Sequence, residues 1–147
     1  MITTNNLNQA RKQIQELKKE NKPIIVQAQS ENFNRKILET KDVNIFLSPE
    51  LHDRKDKLKQ RDSGLNEVLC KLATKNNIQI GIDLKQIQKL SKKEKAIILA
   101  RIIQNIKLCK RTKTKIIVYP KNNYKRQDIM SFLISLGAST KQAKESI

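Results

Sequence analysis

A chain of 147 residues with 37% apolar residues can bury the core of one domain, and it holds no apolar run near the roughly 20 residues that a membrane span needs. Lys and Arg number 31 against 14 acids, a net charge of +17. Self-repulsion on that scale argues against an ordinary mixed-sign surface and points to a polyanionic partner.

The opening MITTNNLNQARKQIQ has no apolar h-region, so no signal peptide is expected. Residues 5–21 read as an amphipathic helix, with Leu7, Ala10, Ile14 and Leu17 three to four apart on one stripe. KPIIVQAQ, residues 22–29, is short, β-branched and opened by a proline, and predicts a strand. Ser30 is a candidate cap for a helix over 31–40 with Phe33, Ile37 and Leu38 inward. DVNIFLS, Asp42–Ser48, predicts a second strand closed by Pro49. A charged loop follows over 50–62. Asp62 or Ser63 then caps a helix to about Asn76, with Leu65, Val68, Leu69, Leu72 and Ala73 buried.

IQIGIDL, residues 78–84, is a third strand. Residues 92–111 form the longest helix, with Leu99, Ile102, Ile103, Ile106 and Cys109 inward and Lys95, Arg101, Lys107, Lys110 and Arg111 outward. KTKIIVYP, residues 113–120, is a fourth strand. Asp128 sits near the start of a helix over 127–136 that Gly137 ends, and a short helix over 140–147 closes the chain. Cys70 and Cys109 each fall in an apolar-periodic segment. They read as small buried residues of a reducing compartment and not as a disulfide framework, so a cytoplasmic protein is expected.

Alternating helices and strands imply right-handed crossovers and a parallel sheet. The near-continuous apolar strands agree with burial on both faces. The expectation is one α/β domain over residues 1–147. It is a parallel (β/α) repeat with about four to five strands and helices outside. In such sheets the functional loops follow the carboxyl ends of the strands. Those loops are Gln27–Ser30, Ser48–Asp62, Asp83–Lys89 and Tyr119–Arg126, and all but the first hold several Lys or Arg. The basic charge is therefore expected on one face of the sheet. It is also uneven along the chain: residues 85–126 carry 14 basic residues and one acid, Glu94. A lysine-rich proteome explains abundant Lys better than it explains missing acids.

Several chemistries find no support. A metallohydrolase needs converging His, Asp or Glu ligands, and the chain has one histidine, His52. No G-x-S-x-G accompanies Ser48 or Ser63, so a Ser-His-Asp arrangement is not expected. Gly64, Gly81 and Gly137 are too far apart to cradle phosphates. Three Phe, two Tyr and no Trp leave little for a base-stacking platform. What remains is a protein that grips phosphates with Lys and Arg and reads shape, which suits structured RNA.

The segment RDSGLNEVLCKLATKNNIQIGIDL, residues 61–84, resembles the signature of archaeal ribonuclease P protein component 3, a family shared with a eukaryotic RNase P/MRP protein. That family shows an Arg/Lys-Asp-Ser-Gly-Leu-Asn helix start, a Val-Leu-x-Lys-Leu-Ala helix and a strand ending Ile-Gly-Phe; Ile82 stands here where Phe is usual. VNIFLSPE, RIIQNIKLCKRTKTKIIVYP and RQDIMSFLISLGASTKQAKESI are similar to its neighbouring strand, long helix and tail, so the likeness spans roughly residues 20–147.

The resemblance implies a TIM-like barrel related to metal-dependent phosphoesterases but without their metal site. With four strong strands, this chain is then a shortened member, a fragment or a partial barrel that depends on its partners. The loop HDRKDKLKQ before Arg61 departs from the family by its added charge. The implied function is that of an accessory subunit of ribonuclease P, which removes the 5′ leader of precursor tRNA. Catalysis with Mg²⁺ lies in the RNA subunit, and this chain binds no cofactor, metal or small-molecule substrate of its own. The implied partners are RNase P RNA, protein component 2 and, through the complex, precursor tRNA; no membrane is involved. RNA contact is expected from Arg61, Lys85, Lys110, Arg111, Lys113, Lys121, Lys125 and Arg126. Asp62 and Ser63 would cap the helix and fix the loop, Gly64 would admit a close backbone approach, and Arg61 would reach a phosphate. The alternatives are a metal-independent or orphan barrel-type ribonuclease and a basic ribosome-associated protein.

Overall fold

The computed structural model describes residues 1–147. Helix α1 (Leu7–Lys19) is followed by strand β1 (Ile25–Gln27), α2 (Glu31–Leu38) and β2 (Ile45–Leu47). Next come α3 (Glu67–Lys75), β3 (Gln79–Asp83), α4 (Leu84–Gln88), α5 (Lys92–Thr112) and β4 (Ile116–Tyr119). A 3₁₀ turn over Lys121–Asn123 leads to α6 (Arg126–Ser135) and α7 (Thr140–Glu145). No helix is long and apolar enough to cross a membrane.

All three strand pairings are parallel, and the strand order is β1-β2-β3-β4. Each strand lies beside its predecessor in sequence, the order of a (β/α) barrel and not of a doubly wound sheet. The fold is thus the parallel α/β arrangement that the residue pattern implies. Beyond β1, Ile2 forms a parallel bridge with Val26 and extends the sheet by one short step.

Alternation along the strands separates two faces. Val26, Phe46, Ile80, Ile82, Ile116 and Val118 join Ala10, Ile14, Phe33, Ile37, Cys70, Ala73, Ile102 and Ile106 in one apolar cluster between sheet and helices. On the other face Gly81 lies against the side chains of Ile45 and Leu47. A Cβ there would meet both within 2.9 Å, so the strands close up only because position 81 has no side chain.

Three details differ from expectation. Helix α3 is capped by Asn66, whose Oδ1 accepts from the Leu69 N–H at 2.9 Å, and not by Asp62 or Ser63. The reason is Gly64: at φ +83 it cannot continue a right-handed helix, so the chain becomes helical only after residue 66. The buried stripe of α3 centres on Cys70 and Ala73, and Val68 is 56% exposed. Two residues along a helix turn the side chain by about 200°, so Val68 faces away from Cys70. In α5, Arg101 is buried together with Ile98, Ile102, Asn105, Ile106 and Cys109. Its spacing places it on that stripe although its charge suggests solvent.

Candidate nucleic-acid interface

The loop between β2 and α3 leaves the carboxyl end of the sheet at Ser48, which takes a left-handed conformation (φ 55) and is fully buried. The loop then folds back along α5, and that helix holds it through a row of polar side chains. Arg101 donates through Nη1 to the Glu50 and His52 carbonyl oxygens, each at 3.0 Å, and through Nη2 to the Arg54 carbonyl at 3.1 Å. One turn further, Gln104 donates to the Arg61 carbonyl and Asn105 to the Ser63 carbonyl, each at 3.1 Å. The backbone of 50–63, which has no regular partner strand, therefore satisfies five carbonyls on one helix face.

Inside the loop, His52 donates from Nε2 to the Asp62 carbonyl at 2.8 Å and accepts the Arg54 N–H at Nδ1 at 3.2 Å. These two bonds require the neutral ring protonated at Nε2. Burial lowers its pKa below the usual range; the bond to the Asp62 carbonyl opposes this, and the Arg101 and Arg54 charges add to it. The Asp62 carboxylate accepts from Arg54 Nε at 3.0 Å and from the Gly64 N–H at 3.0 Å. Partial burial pushes its pKa up, but the Arg54 and Gly64 hydrogen bonds and the Arg54 charge outweigh it, so the pKa lies below normal. The Asp62 N–H in turn donates to Asp56 Oδ1 at 2.8 Å. Ser63 is buried, and its hydroxyl donates to the Leu65 carbonyl at 3.3 Å. A Cβ on Gly64 would overlap the Pro49 carbonyl, so the close approach at this glycine is to the loop's own start. Asp62, Ser63 and Gly64 are thus fasteners of the loop and do not cap the helix.

Behind the loop lies a polar cluster that residue pattern did not reveal. Glu50 is 1% exposed, and burial raises its pKa to about 8. Its own backbone N–H and Arg101 oppose that rise and the Asp83 charge adds to it. Ser48 Oγ, Glu50 Oε1, Arg101 Nε and Asn105 Oδ1 are buried without a protein hydrogen-bond partner. Asp83 itself caps α4 by accepting from the Lys85 and Gln86 N–H groups. No group of three or more His, Cys, Asp or Glu is placed to hold a metal ion. The signal that could have located the cluster is the spacing of Arg101 and Asn105 on the buried stripe of α5.

The eight basic residues singled out from the sequence are all exposed but do not gather on one face. Lys85, in α4, and Lys121, Lys125 and Arg126, after β4, follow the carboxyl ends of their strands. Lys110, Arg111 and Lys113 end helix α5, which runs back to the start of β4, so they lie toward the opposite end of the sheet. The single basic face is thereby corrected: a helix returning between parallel strands carries its last turn to the far edge. Arg61 and Arg111 border one cleft of about 390 Å³ together with Lys57, Gln60 and Gln104. Arg61 Nε lies 3.7 Å from Asp56 Oδ2, a loose pairing of half-exposed side chains.

Fold and site together define a class: a parallel α/β protein with dispersed exposed basic residues and a loop bolted to its longest helix. No family model matches the chain. Among curated proteins, ribonuclease P protein component 3 of Methanococcus maripaludis (strain C7) is 26% identical over 117 residues, which is 80% of this chain and 47% of that protein. Ribonuclease P protein component 3 of Methanococcus vannielii is also 26% identical over 117 residues, 80% of this chain and 48% of that protein. A chain in the cryo-EM structure of archaeal ribonuclease P with mature tRNA superposes with a TM-score of 0.79 at 24% identity, covering 98% of this chain and 61% of that one. The resemblance to ribonuclease P protein component 3 drawn from residues 61–84 therefore extends over most of the chain. The chain spans about half the length of the curated relatives it matches.

Proposed function

We propose that this chain is an RNA-binding accessory protein of ribonuclease P, assisting an RNA subunit in 5′-leader removal from precursor tRNA. The observation that carries the reading is the similarity to component 3 relatives across 80% of the chain. The physical features are consistent with it. A charge of +17 favours a polyanion. Most basic side chains are exposed and unpaired, whereas Asp62 and His52 are engaged in holding a loop. In this reading the catalytic Mg²⁺ belongs to the RNA, protein component 2 is the protein partner, and the complex works in the cytoplasm. Arg61 and Arg111 are the first RNA contacts to examine, because they share a cleft.

The test is a competition between RNAs. Purified chain, with component 2 added, is titrated with labelled RNase P RNA and challenged with unlabelled ribosomal RNA of equal length. Displacement that needs a large excess of ribosomal RNA supports the reading. Preferential displacement by ribosomal RNA contradicts it and favours a ribosome-associated protein.

A further inference from the structure

Residues 51–62 hold five basic residues and three acids, and the fold sorts them. Two of the acids, Asp56 and Asp62, turn toward the base of the loop, while Asp53 is exposed. Asp62 pairs with Arg54 at 3.0 Å. Asp56 accepts the Asp62 N–H and faces Arg61 at 3.7 Å and Arg101 at 3.9 Å. That base is fixed by the carbonyl bonds to Arg101, Gln104 and Asn105. The tip is a two-residue turn: Gln60 N–H donates to the Lys57 carbonyl at 3.1 Å, and Leu58 between them and Lys59 is fully exposed. Lys55, Lys57 and Lys59 are exposed, and none makes an ion pair.

Beside the tip, Lys57 borders the cleft that holds Arg61 and Arg111. Every acid on that cleft already has a cationic partner: Asp62 and Glu31 meet Arg54, and Glu67 meets Lys71 at 3.1 Å. The cleft thus presents the unpaired Lys57 and Arg111 and the loosely paired Arg61 beside acids that already have partners.

We propose that Lys55–Lys59 is a preformed basic finger that grips the phosphate backbone of double-helical RNA, with Lys57, Arg61 and Arg111 seating one phosphate in the cleft. The proposal rests on the RNA-binding reading above and names the part of the surface that serves it. Three arguments carry it. A turn whose base is already held loses little freedom on binding, so its lysines neutralise phosphates at low entropic cost. Lysine is a point charge without base preference, which suits a backbone and not a base edge. The finger contains no aromatic residue, and the ring of His52 in the loop is buried and held by its own hydrogen bonds, so a duplex is the better substrate.

The experiment uses the full chain and a paired RNA hairpin of about 16 base pairs, roughly what a shape-reading protein spans, with single-stranded RNA of the same length as comparison. Fluorescence anisotropy is followed over a salt series. Three proteins are compared: the unaltered chain, the finger variant K55S/K57S/K59S, and a charge-matched control K12S/K19S/K41S on α1 and before β2. Circular dichroism checks that each is folded. Because each lost phosphate contact flattens the salt slope by about one, the finger variant is expected to lose about two to three from the slope and at least about tenfold in affinity, while the control keeps its slope within about one. Equal losses in both variants overturn the proposal, since charge and not position would then be the cause. An unchanged finger variant overturns it as well, and tighter binding of single-stranded RNA overturns its duplex preference. If the unaltered chain binds neither RNA, the RNA-binding reading itself fails, an outcome distinct from failure of the finger alone.

Discussion

At the residue scale, the least expected feature is a carboxyl group buried beside an arginine that does not pair with it. Arg101 spends its guanidinium on three backbone carbonyls, leaving Glu50 with an unpartnered oxygen and a pKa raised to about 8. The sign of the pH dependence follows. Folded Glu50 keeps its proton above 4.5, where the unfolded chain releases it, so stability is fully present below that pH and declines as pH rises toward about 8. The decline is at most about 1.4 kcal/mol per pH unit. His52 acts in the opposite sense but only below its ordinary 6.5: its folded pKa is lowered, so its share of stability is lost as pH falls through that range. The Glu50 effect is therefore cleanest between pH 6.5 and 8. Urea unfolding of the unaltered chain should show falling stability across that interval, and Glu50→Gln should remove the slope. A slope that persists in the variant would assign it to another group.

At the element scale, what the sequence made legible and what it hid divide along physical lines. The four strands, α1, α2 and the length of α5 follow from apolar period and β-branched runs, and they fall where those patterns place them. The start of α3 does not. Asp62, Ser63 and Asn66 are all competent caps. The choice among them depends on Gly64 adopting φ +83 against Pro49, a tertiary contact 15 residues away in sequence. Helix α4, five residues begun by the Asp83 cap, was too short for a period to show. The role of Arg101 was hidden because polarity and helical position disagreed; position decided, since the loop supplied acceptors where the helix buried a donor. The cap assignment makes a direct prediction. Asn66→Ala should cost about 1 kcal/mol by removing the bond to the Leu69 N–H, whereas Ser63→Ala should cost less than about half of that, since its long bond to the Leu65 carbonyl lies outside the helix. Thermal unfolding of the two variants checks it, and a larger loss for Ser63→Ala would contradict the assignment.

At the scale of the whole molecule, the parallel sheet explains both why the basic residues are exposed and why they are dispersed. Each crossover leaves a strand at one end and returns at the other, so a basic stretch such as residues 107–126 visits both ends of the sheet. Charge counts by segment gave the amount of charge, but only the crossover path gives its distribution. Dispersed cations suit a protein that packs against a large folded RNA from more than one side better than one that holds a short ligand in a single groove. The measurement that tests the central claim most directly is precursor-tRNA cleavage at low Mg²⁺ by RNase P RNA and component 2, with and without this chain. The account predicts that the chain raises the rate of correct 5′ cleavage and that Arg61→Ala, folded by circular dichroism, weakens the gain. A chain that neither binds the RNA nor changes its cleavage would contradict it.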